Sequence, residues 1–231
     1  MTIKIDLGCG GAKRPGYIGL DYIDAPGVDH VLDLTAEPFP FADDSVDEVY
    51  SAHFLEHVTV PNNVLMEIGR VCKDGAHIQI WTPYAFSNEA FFYGHTAYLT
   101  ETVWYQWCVS HHREAAPLLG GRWLLDSVTF IVNPNVQGEL QSHGVPIDFA
   151  IKYHKGVVEE FGVDLTYRAD LDAPGVEPKR LWSHTRFGEA NLLVPGGGEP
   201  GVAAPPTTLT QRLKRWVPEP MKPALRSLRR H

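Results

Sequence analysis

Short apolar segments alternate with turns and with segments of helical period along the first two thirds of the chain. Five of them have the length and apolar content of buried strands, at residues 3–7, 17–21, 30–34, 46–51 and 76–82. Strands that alternate with helical segments are typical of a mostly parallel sheet. The pattern therefore predicts an α/β fold.

A helix is expected between the fourth and fifth of these strands. Residues 61–75 carry apolar side chains at helical spacing, and this segment begins with Pro61 and closes at Asp74-Gly75. Later segments predict a sixth strand at 122–132, a helix at 146–161 and a last strand at 163–167. The first crossover is different. Only about ten residues separate Gly10 from Asp21, fewer than a parallel crossover normally takes, so the first helix is one turn or absent.

Composition and charge limit the function classes. The chain has 231 residues, 44% of them hydrophobic, and a net charge of −8. Residues 207–231 carry a net charge of +6, which leaves −14 for residues 1–206. A body this acidic would repel a phosphate backbone, which argues against a nucleic-acid substrate. We divide the chain into a domain at 1–194, a Gly/Pro-rich linker at 195–206 and a basic tail at 207–231.

The cysteines and the absence of long apolar runs indicate a cytoplasmic protein. Cys9, Cys72 and Cys108 are odd in number and unrelated in spacing, which fits neither a disulfide framework nor a zinc knuckle. No apolar run approaches the roughly 18 residues of a membrane span. We expect reduced, structural cysteines.

A glycine-dense turn follows the first strand, in the sequence IKIDLGCGG. Glycines at positions 8, 10 and 11 allow a tight turn and a close approach of the backbone to a ligand. The second strand ends in Asp21, where a carboxylate can accept hydrogen bonds from both hydroxyls of a ribose. An NAD-binding fingerprint would have a glycine at position 13, where this chain has Lys13.

The series of motifs resembles class I S-adenosylmethionine (SAM) methyltransferases of the type 11 kind. The resemblance covers residues 3–84 and rests on DLGCG, Asp21, LDLTAEPFPFADDSVDEVYS, FLEHV and CKDGAHIQIWTP. It implies a Rossmann-like three-layer sandwich around a seven-stranded, mostly parallel sheet whose last strand is antiparallel. The chain departs from the family pattern in its shortened first helix. Beyond the resemblance, residues 85–145 are rich in aromatic residues and histidine, and we expect them to form an insertion that covers the substrate.

The resemblance also implies a cofactor site. The glycine turn would lie under the methionine part of SAM with Lys13 available to its carboxylate, Asp21 would bind the ribose, Asp33 and Leu34 the adenine, and Ser51 would face the sulfonium. The cofactor-binding residues expected in this way are Asp6, Gly8, Gly10, Asp21, Asp33, Leu34 and Ser51.

Methyl transfer to a hydroxyl needs alignment and removal of a proton. His53 lies two residues past Ser51, and a neutral imidazole there is our candidate general base, with His143 in reserve. Mg²⁺ is a further candidate, because it lowers the pKa of a bound hydroxyl. Asn88, Glu89, His95 and His143 could hold it, although their spacing does not identify ligands.

We therefore expect an O-methyltransferase that acts on a small hydroxylated metabolite such as a sugar. Flat aromatic side chains with interleaved polar groups at 85–145 suit such a ring. Small-molecule N-methylation and SAM binding without catalysis remain alternatives. A zinc peptidase is another, because His53, Glu56 and His57 spell H-x-x-E-H. A homodimer and a contact between the basic tail and an anionic membrane are also open.

Overall fold

A nine-stranded sheet runs through the computed structural model, which describes residues 2–193. The predicted linker at 195–206 and tail at 207–231 lie outside the described residues. The strands are β1 (Lys4–Leu7), β2 (Ile18–Asp21), β3 (His30–Val31), β4 (Val46–Ala52), β5 (Cys72–Pro83), β6 (Arg122–Val132), β7 (Val158–Arg168), β8 (Lys179–Ser183) and β9 (Asn191–Leu192). The predicted strand at 122–132 is confirmed at both ends.

The sheet has the order β3-β2-β1-β4-β5-β7-β6-β8-β9. Strands β1 to β5 pair in parallel, and β7 is antiparallel to both β5 and β6. The carboxyl ends of β1, β2, β4 and β5 therefore lie at one edge, together with the amino end of β7. The α/β, Rossmann-like fold class is confirmed, and β8 and β9 add two strands to the expected seven.

Five α-helices accompany the strands of residues 2–193. They are α1 (Asn62–Val71), α2 (Glu101–Tyr105), α3 (His112–Leu119), α4 (Pro134–Ser142) and α5 (Ile147–Tyr153). Helix α1 confirms an amphipathic helix within 61–75, because it buries Val64, Leu65 and Ile68 against the sheet. It ends at Val71 rather than at Asp74-Gly75, and Cys72 already begins β5. In this part of the chain no helix is long and apolar enough to cross a membrane.

Residues 85–145 do not form one insertion over the substrate. Strand β6 belongs to the central sheet, and α3 packs against α1. Trp104 and Trp123 are fully buried and stack with their ring centroids 6.5 Å apart. Aromatic side chains at these positions therefore fill the core, because the connection between β5 and β6 must cover that face of the sheet. Only the part before α2 exposes its aromatic residues.

The opposite face of the sheet carries a small separate cluster of Tyr50, Trp81 and Ile131. Among the described residues no helix lies between β1 and β4, so the first helix is absent, as the short crossover predicts. The side chains of Arg14 and Phe187 lie on this face instead, and the Arg14 guanidinium carbon is 4.5 Å from the ring centroid of Tyr50.

The helix predicted at 146–161 is wrong in its second half. Helix α5 ends at Tyr153, and β7 begins at Val158. Gly156 has φ 78°, which interrupts the helix, and Val158 and Glu160 then pair with Val132 and Pro83 of the neighbouring strands. Pairing with two strands outweighs the local helical period, and the β-branched Val157 and Val158 favour the extended form.

The contact between α1 and α3 gives a first prediction. A Cβ at Gly69 would overlap the carbonyl oxygen of Leu119, which is backbone and cannot rotate away. We expect Gly69→Ala to lower the free energy of unfolding by about 1–3 kcal/mol in urea denaturation.

Gly138→Ala is the matched control, because Gly138 lies in helix α4 and a Cβ there meets no described atom within 4 Å. It should raise the free energy of unfolding by about 0.5–1 kcal/mol. Equal effects of the two substitutions would contradict the packing argument.

Candidate active site

A cavity of about 540 Å³ opens at the edge where the parallel strands end. Five of the predicted site residues line it, namely Gly8, Asp21, Asp33, Leu34 and His53. The sequence reasoning missed six other lining residues, namely Tyr22, Ile23, Thr35, Phe54, His57 and Val58. Three of them, Tyr22, Thr35 and Phe54, directly follow a predicted residue in the chain, and that adjacency was the signal that the sequence offered.

The glycine turn after β1 takes a left-handed backbone at Gly8 and Gly10, with φ of 66° and 50°. The Gly8 N–H donates to the carbonyl of Leu20 at 2.9 Å, which ties the turn to β2. A Cβ at Gly8 would lie 2.5 Å from the Cβ of Phe54, whereas one at Gly10 would meet no described atom within 4 Å. The turn therefore holds Phe54 close and leaves room beside Gly10.

Asp21 is buried at the end of β2, and two backbone groups fix its carboxylate. One oxygen accepts from the N–H of Gly10 at 2.8 Å, and the other accepts from the N–H of Ile23 at 2.9 Å. Each carboxylate oxygen can accept a second hydrogen bond. The carboxylate is thus held in one orientation at the cavity wall, with capacity to accept from a pair of ligand hydroxyls.

The far end of the cavity combines an exposed acid with apolar side chains. One Asp33 oxygen accepts from the N–H and the hydroxyl of Thr35 at 2.9 and 2.7 Å, and these bonds hold the pKa of Asp33 below its usual value. Leu34 is buried beneath it, while Tyr22 and Ile23 remain exposed. Apolar side chains beside a polar acceptor suit a flat ring that carries an amino group.

Three of the predicted cofactor residues, Asp6, Gly10 and Ser51, do not line the cavity. Asp6 and Ser51 contact the backbone around the turn instead. Asp6 accepts from the Arg14 N–H at 2.7 Å, and burial raises its pKa. The Ser51 hydroxyl donates to the Leu7 carbonyl at 3.3 Å. Lys13 is paired with Asp29 at 2.7 Å, which uses one of the three N–H donors of its ammonium. The contacts of Asp6 and Ser51 position the backbone around the turn.

His53 lies at the cavity wall between two carboxylates. Its Nε2 is 2.8 Å from Glu160, and its Nδ1 is 3.1 Å from Glu56. Both ring nitrogens face acceptors, so the imidazolium, which donates from both, is the favoured form. These bonds raise the pKa of His53 to about 9. The neutral base expected at this position is therefore not what the structure holds, because the ring keeps no lone pair for a substrate proton.

Glu160 and Arg186 lie behind His53, do not line the cavity themselves, and were not predicted. Arg186 contacts both carboxylate oxygens of Glu160, with its Nε 2.8 Å from one and a terminal nitrogen 2.7 Å from the other. Glu160 pairs in register with Pro83 at the end of β5. Strand β7 is antiparallel, so it begins at the edge of the sheet where the cavity opens. The two glutamates at its start, Glu159 and Glu160, were the signal that the sequence offered.

His143, the reserve base, does not line the cavity. It is exposed just after α4, and its Nδ1 is 2.9 Å from the carbonyl of Glu139. The H-x-x-E-H reading also lacks its helix, since His53 has φ 55° and precedes a single turn at Leu55–His57. The four residues considered for Mg²⁺ do not come together in the described chain, where the only metal-compatible group found is Glu56, His57 and His95.

Comparison with known proteins agrees with this architecture. Residues 5–80 match a family model described as a methyltransferase domain. No curated protein matches the chain. A SAM-dependent methyltransferase from Archaeoglobus fulgidus is 16% identical with a TM-score of 0.50, over 71% of this chain and 86% of that one. A SAM-dependent methyltransferase from Mesorhizobium loti is 14% identical with a TM-score of 0.44, over 71% of this chain and 90% of that one. One from Methanosarcina mazei is 15% identical with a TM-score of 0.45, over 73% of this chain and 93% of that one.

The matched domain covers β1 through most of β5, which is the half of the sheet that carries the cavity. The likeness to the Archaeoglobus fulgidus structure supports the same fold over 71% of the chain. The matched methyltransferase domain supports an enzyme that transfers methyl groups. SAM is the cofactor that this class implies.

Proposed function

We propose that the cavity binds SAM and that the protein transfers the methyl group of SAM to a hydroxyl of a small polar metabolite, a sugar. The observation that carries the cofactor assignment is the oriented Asp21 carboxylate beside the left-handed glycine turn. The ribose hydroxyls would donate to Asp21, the adenine would lie between Ile23 and Leu34 near Asp33, and the methionine part would extend along Gly8 and Gly10.

The acceptor proposal is supported by a group of exposed aromatic side chains that precedes α2. Its members are Phe86, Phe91, Phe92, Tyr93 and Tyr98. This segment is joined to the cavity wall, because His57, a lining residue, bonds to the carbonyl of Gly94 and its ring packs against His95. Aromatic faces next to polar atoms suit the C–H faces and hydroxyls of a sugar ring.

The chemistry of the step is mainly alignment. SAM carries an activated methyl group, so the enzyme must hold the acceptor oxygen in line with the methyl–sulfur bond and provide for loss of the hydroxyl proton. His53 donates from both nitrogens to Glu56 and Glu160, which hold its ring in place at the cavity wall. The Nδ1 of His57 is 3.2 Å from the Gly94 carbonyl, and this contact leaves Nε2 as the unused ring nitrogen of that lining residue.

The proposal is tested by incubating the purified chain with isotope-labelled SAM and a panel of sugars and nucleotide sugars, each paired with its amino-sugar counterpart. We expect a gain of one methyl group on a hydroxylated acceptor, detected by mass spectrometry, and formation of S-adenosylhomocysteine. Asp24→Ala, an exposed acid that does not line the cavity, should behave as the parent. Transfer only to the amino sugars would favour N-methylation. Absence of SAM binding in the parent would refute the cofactor assignment.

A further inference from the structure

Three metal-compatible side chains meet next to the cavity. Glu56 and His57 come from the single turn at Leu55–His57, and His95 comes from the segment that precedes α2. One potential ligand atom of each lies within 4.8 Å of those of the other two. Two histidines and one carboxylate are the donor set of many zinc and other transition-metal sites in enzymes.

Glu56 is the strongest sign that a ligand is missing from the group. Its side chain is 1% exposed, and its Oε2 has no hydrogen-bond partner among residues 2–193. The Nδ1 of His95 is likewise buried and unpartnered within the described chain. Buried polar atoms are almost always paired, since an unpaired carboxylate oxygen or ring nitrogen in the interior is costly. Both orphans belong to the same three-residue group.

The surrounding backbone holds the group in place. The carbonyl of Glu56 accepts from the N–H of Thr96 at 2.7 Å and from that of Ala97 at 3.1 Å, which fastens the His95 segment to the Glu56 turn. The Nδ1 of His57 is 3.2 Å from the Gly94 carbonyl. That contact selects the tautomer with the lone pair on Nε2, which is how an outer hydrogen bond usually prepares a histidine for a metal.

We propose that Glu56, His57 and His95 bind a divalent transition-metal ion, with Zn²⁺ as the first candidate. Imidazole nitrogens suit Zn²⁺, whereas Mg²⁺ prefers an all-oxygen shell. Of the four residues expected to hold Mg²⁺, only His95 belongs to this group. The other oxygen of Glu56 bonds to His53, which in turn bonds to Glu160, so the carboxylate is oriented from outside the metal site.

The position of the site gives it a role, which rests on the proposed function. His57 lines the cavity, so an ion held there borders the proposed acceptor region. Three protein ligands leave a coordination position for the acceptor hydroxyl, and the ion lowers the pKa of that hydroxyl. The hydroxyl proton passes to water, the oxygen forms a bond to the methyl carbon, and the carbon–sulfur bond breaks with its electron pair remaining on the sulfur of S-adenosylhomocysteine.

The test measures metal content without any methyl acceptor. Full-length protein free of affinity tags is equilibrated with Zn²⁺, passed through a desalting column and analysed by inductively coupled plasma mass spectrometry. We expect about one zinc per chain in the parent, and at least a fivefold lower content in Glu56→Gln and in His95→Gln. His111→Gln is the matched control and should keep the parental content, because His111 is an exposed histidine outside the group. Replacement by Co²⁺ should give a visible absorption band that both ligand variants lose.

The metal content, the fold and the methyl transfer activity are measured separately, so that the metal site and the proposed function can fail independently. SAM affinity and the midpoint of thermal unfolding, measured in the same variants, show that a lost metal is not a lost fold. A parent that retains less than a tenth of an equivalent of zinc, or ligand variants that retain as much as the parent, would overturn the site. Stoichiometric zinc in a protein that transfers no methyl group would refute the proposed function and leave the metal site standing. Unchanged methyl transfer in zinc-free variants would remove the role in acceptor binding.

Discussion

Replacing Asp21 with alanine should weaken SAM binding about a hundredfold. The carboxylate is buried and fixed by the N–H groups of Gly10 and Ile23, so its remaining lone pairs are already oriented toward the cavity. Loss of a charge-assisted acceptor for two ribose hydroxyls costs about 2–4 kcal/mol. Isothermal titration calorimetry measures the change directly as a rise in Kd.

The same substitution also frees two backbone donors, so the turn could relax. Asp21→Asn separates the two effects, because its amide oxygen can still accept one of the backbone bonds while the charge is lost. We expect an intermediate loss of affinity in that variant and an unchanged thermal midpoint. Asp24→Ala controls for the removal of a nearby exposed acid. Parental SAM affinity in Asp21→Ala would disprove the assignment of the cavity to SAM.

The parts of the site that the sequence predicted are local in the chain. The glycine turn, Asp21 and the pair Asp33-Leu34 each follow directly from a strand end, and parallel strands bring their carboxyl ends to one edge of the sheet. Strand β6 was equally predictable, because its apolar run has the length of a buried strand. The glycine turn and Asp21 could be predicted from local pattern and sheet topology, whereas Asp33 and Leu34 were expected only because the sequence resembles a known family.

The other half depends on contacts between distant parts of the chain. His53 is 107 residues from Glu160, and Glu160 is 26 residues from Arg186, so no spacing in the sequence indicates the second carboxylate that stabilises the protonated histidine. His95 lies near Glu56, but it belongs to the segment between β5 and α2, which shows no helical or strand period in the sequence. The chemical character of His53 and the partner of Glu56 could be learned only once the chain was folded.

The aromatic residues between 85 and 145 fall into a buried group and an exposed group. Trp104, Trp107 and Cys108 have the helical spacing of a buried stripe, and the structure buries Trp104 and Cys108 in the core. Phe91, Phe92 and Tyr93 are also aromatic, yet they are exposed in the segment that precedes α2. Composition alone does not separate the two groups, because apolar area fills a core and a binding surface equally well. Periodicity separates them, since only the buried group repeats at helical spacing.

Gly8→Ala should disable the cofactor half of the cavity while Gly11→Ala leaves it intact. The backbone of Gly8 has φ 66°, which costs an L-residue about 1 kcal/mol, and the added methyl group would lie 2.5 Å from the Cβ of Phe54. Phe54 lines the cavity, so its displacement changes the space available to SAM. We expect at least a tenfold rise in the Kd for SAM, measured by calorimetry, and a thermal midpoint a few degrees lower.

Gly11 belongs to the same turn and is the matched control for that substitution. Its φ lies outside the left-handed range, and a Cβ there meets no described atom within 4 Å, so alanine at this position adds neither strain nor contact. Its SAM affinity should stay within twofold of the parent. If both alanine variants bind SAM equally well, the turn does not shape the cofactor site through Phe54, and the flexibility of the turn alone would have to account for its glycines. If both lose affinity equally, direct contact of the whole turn with the cofactor outweighs the clash at Phe54, because Gly11 has no neighbour to displace.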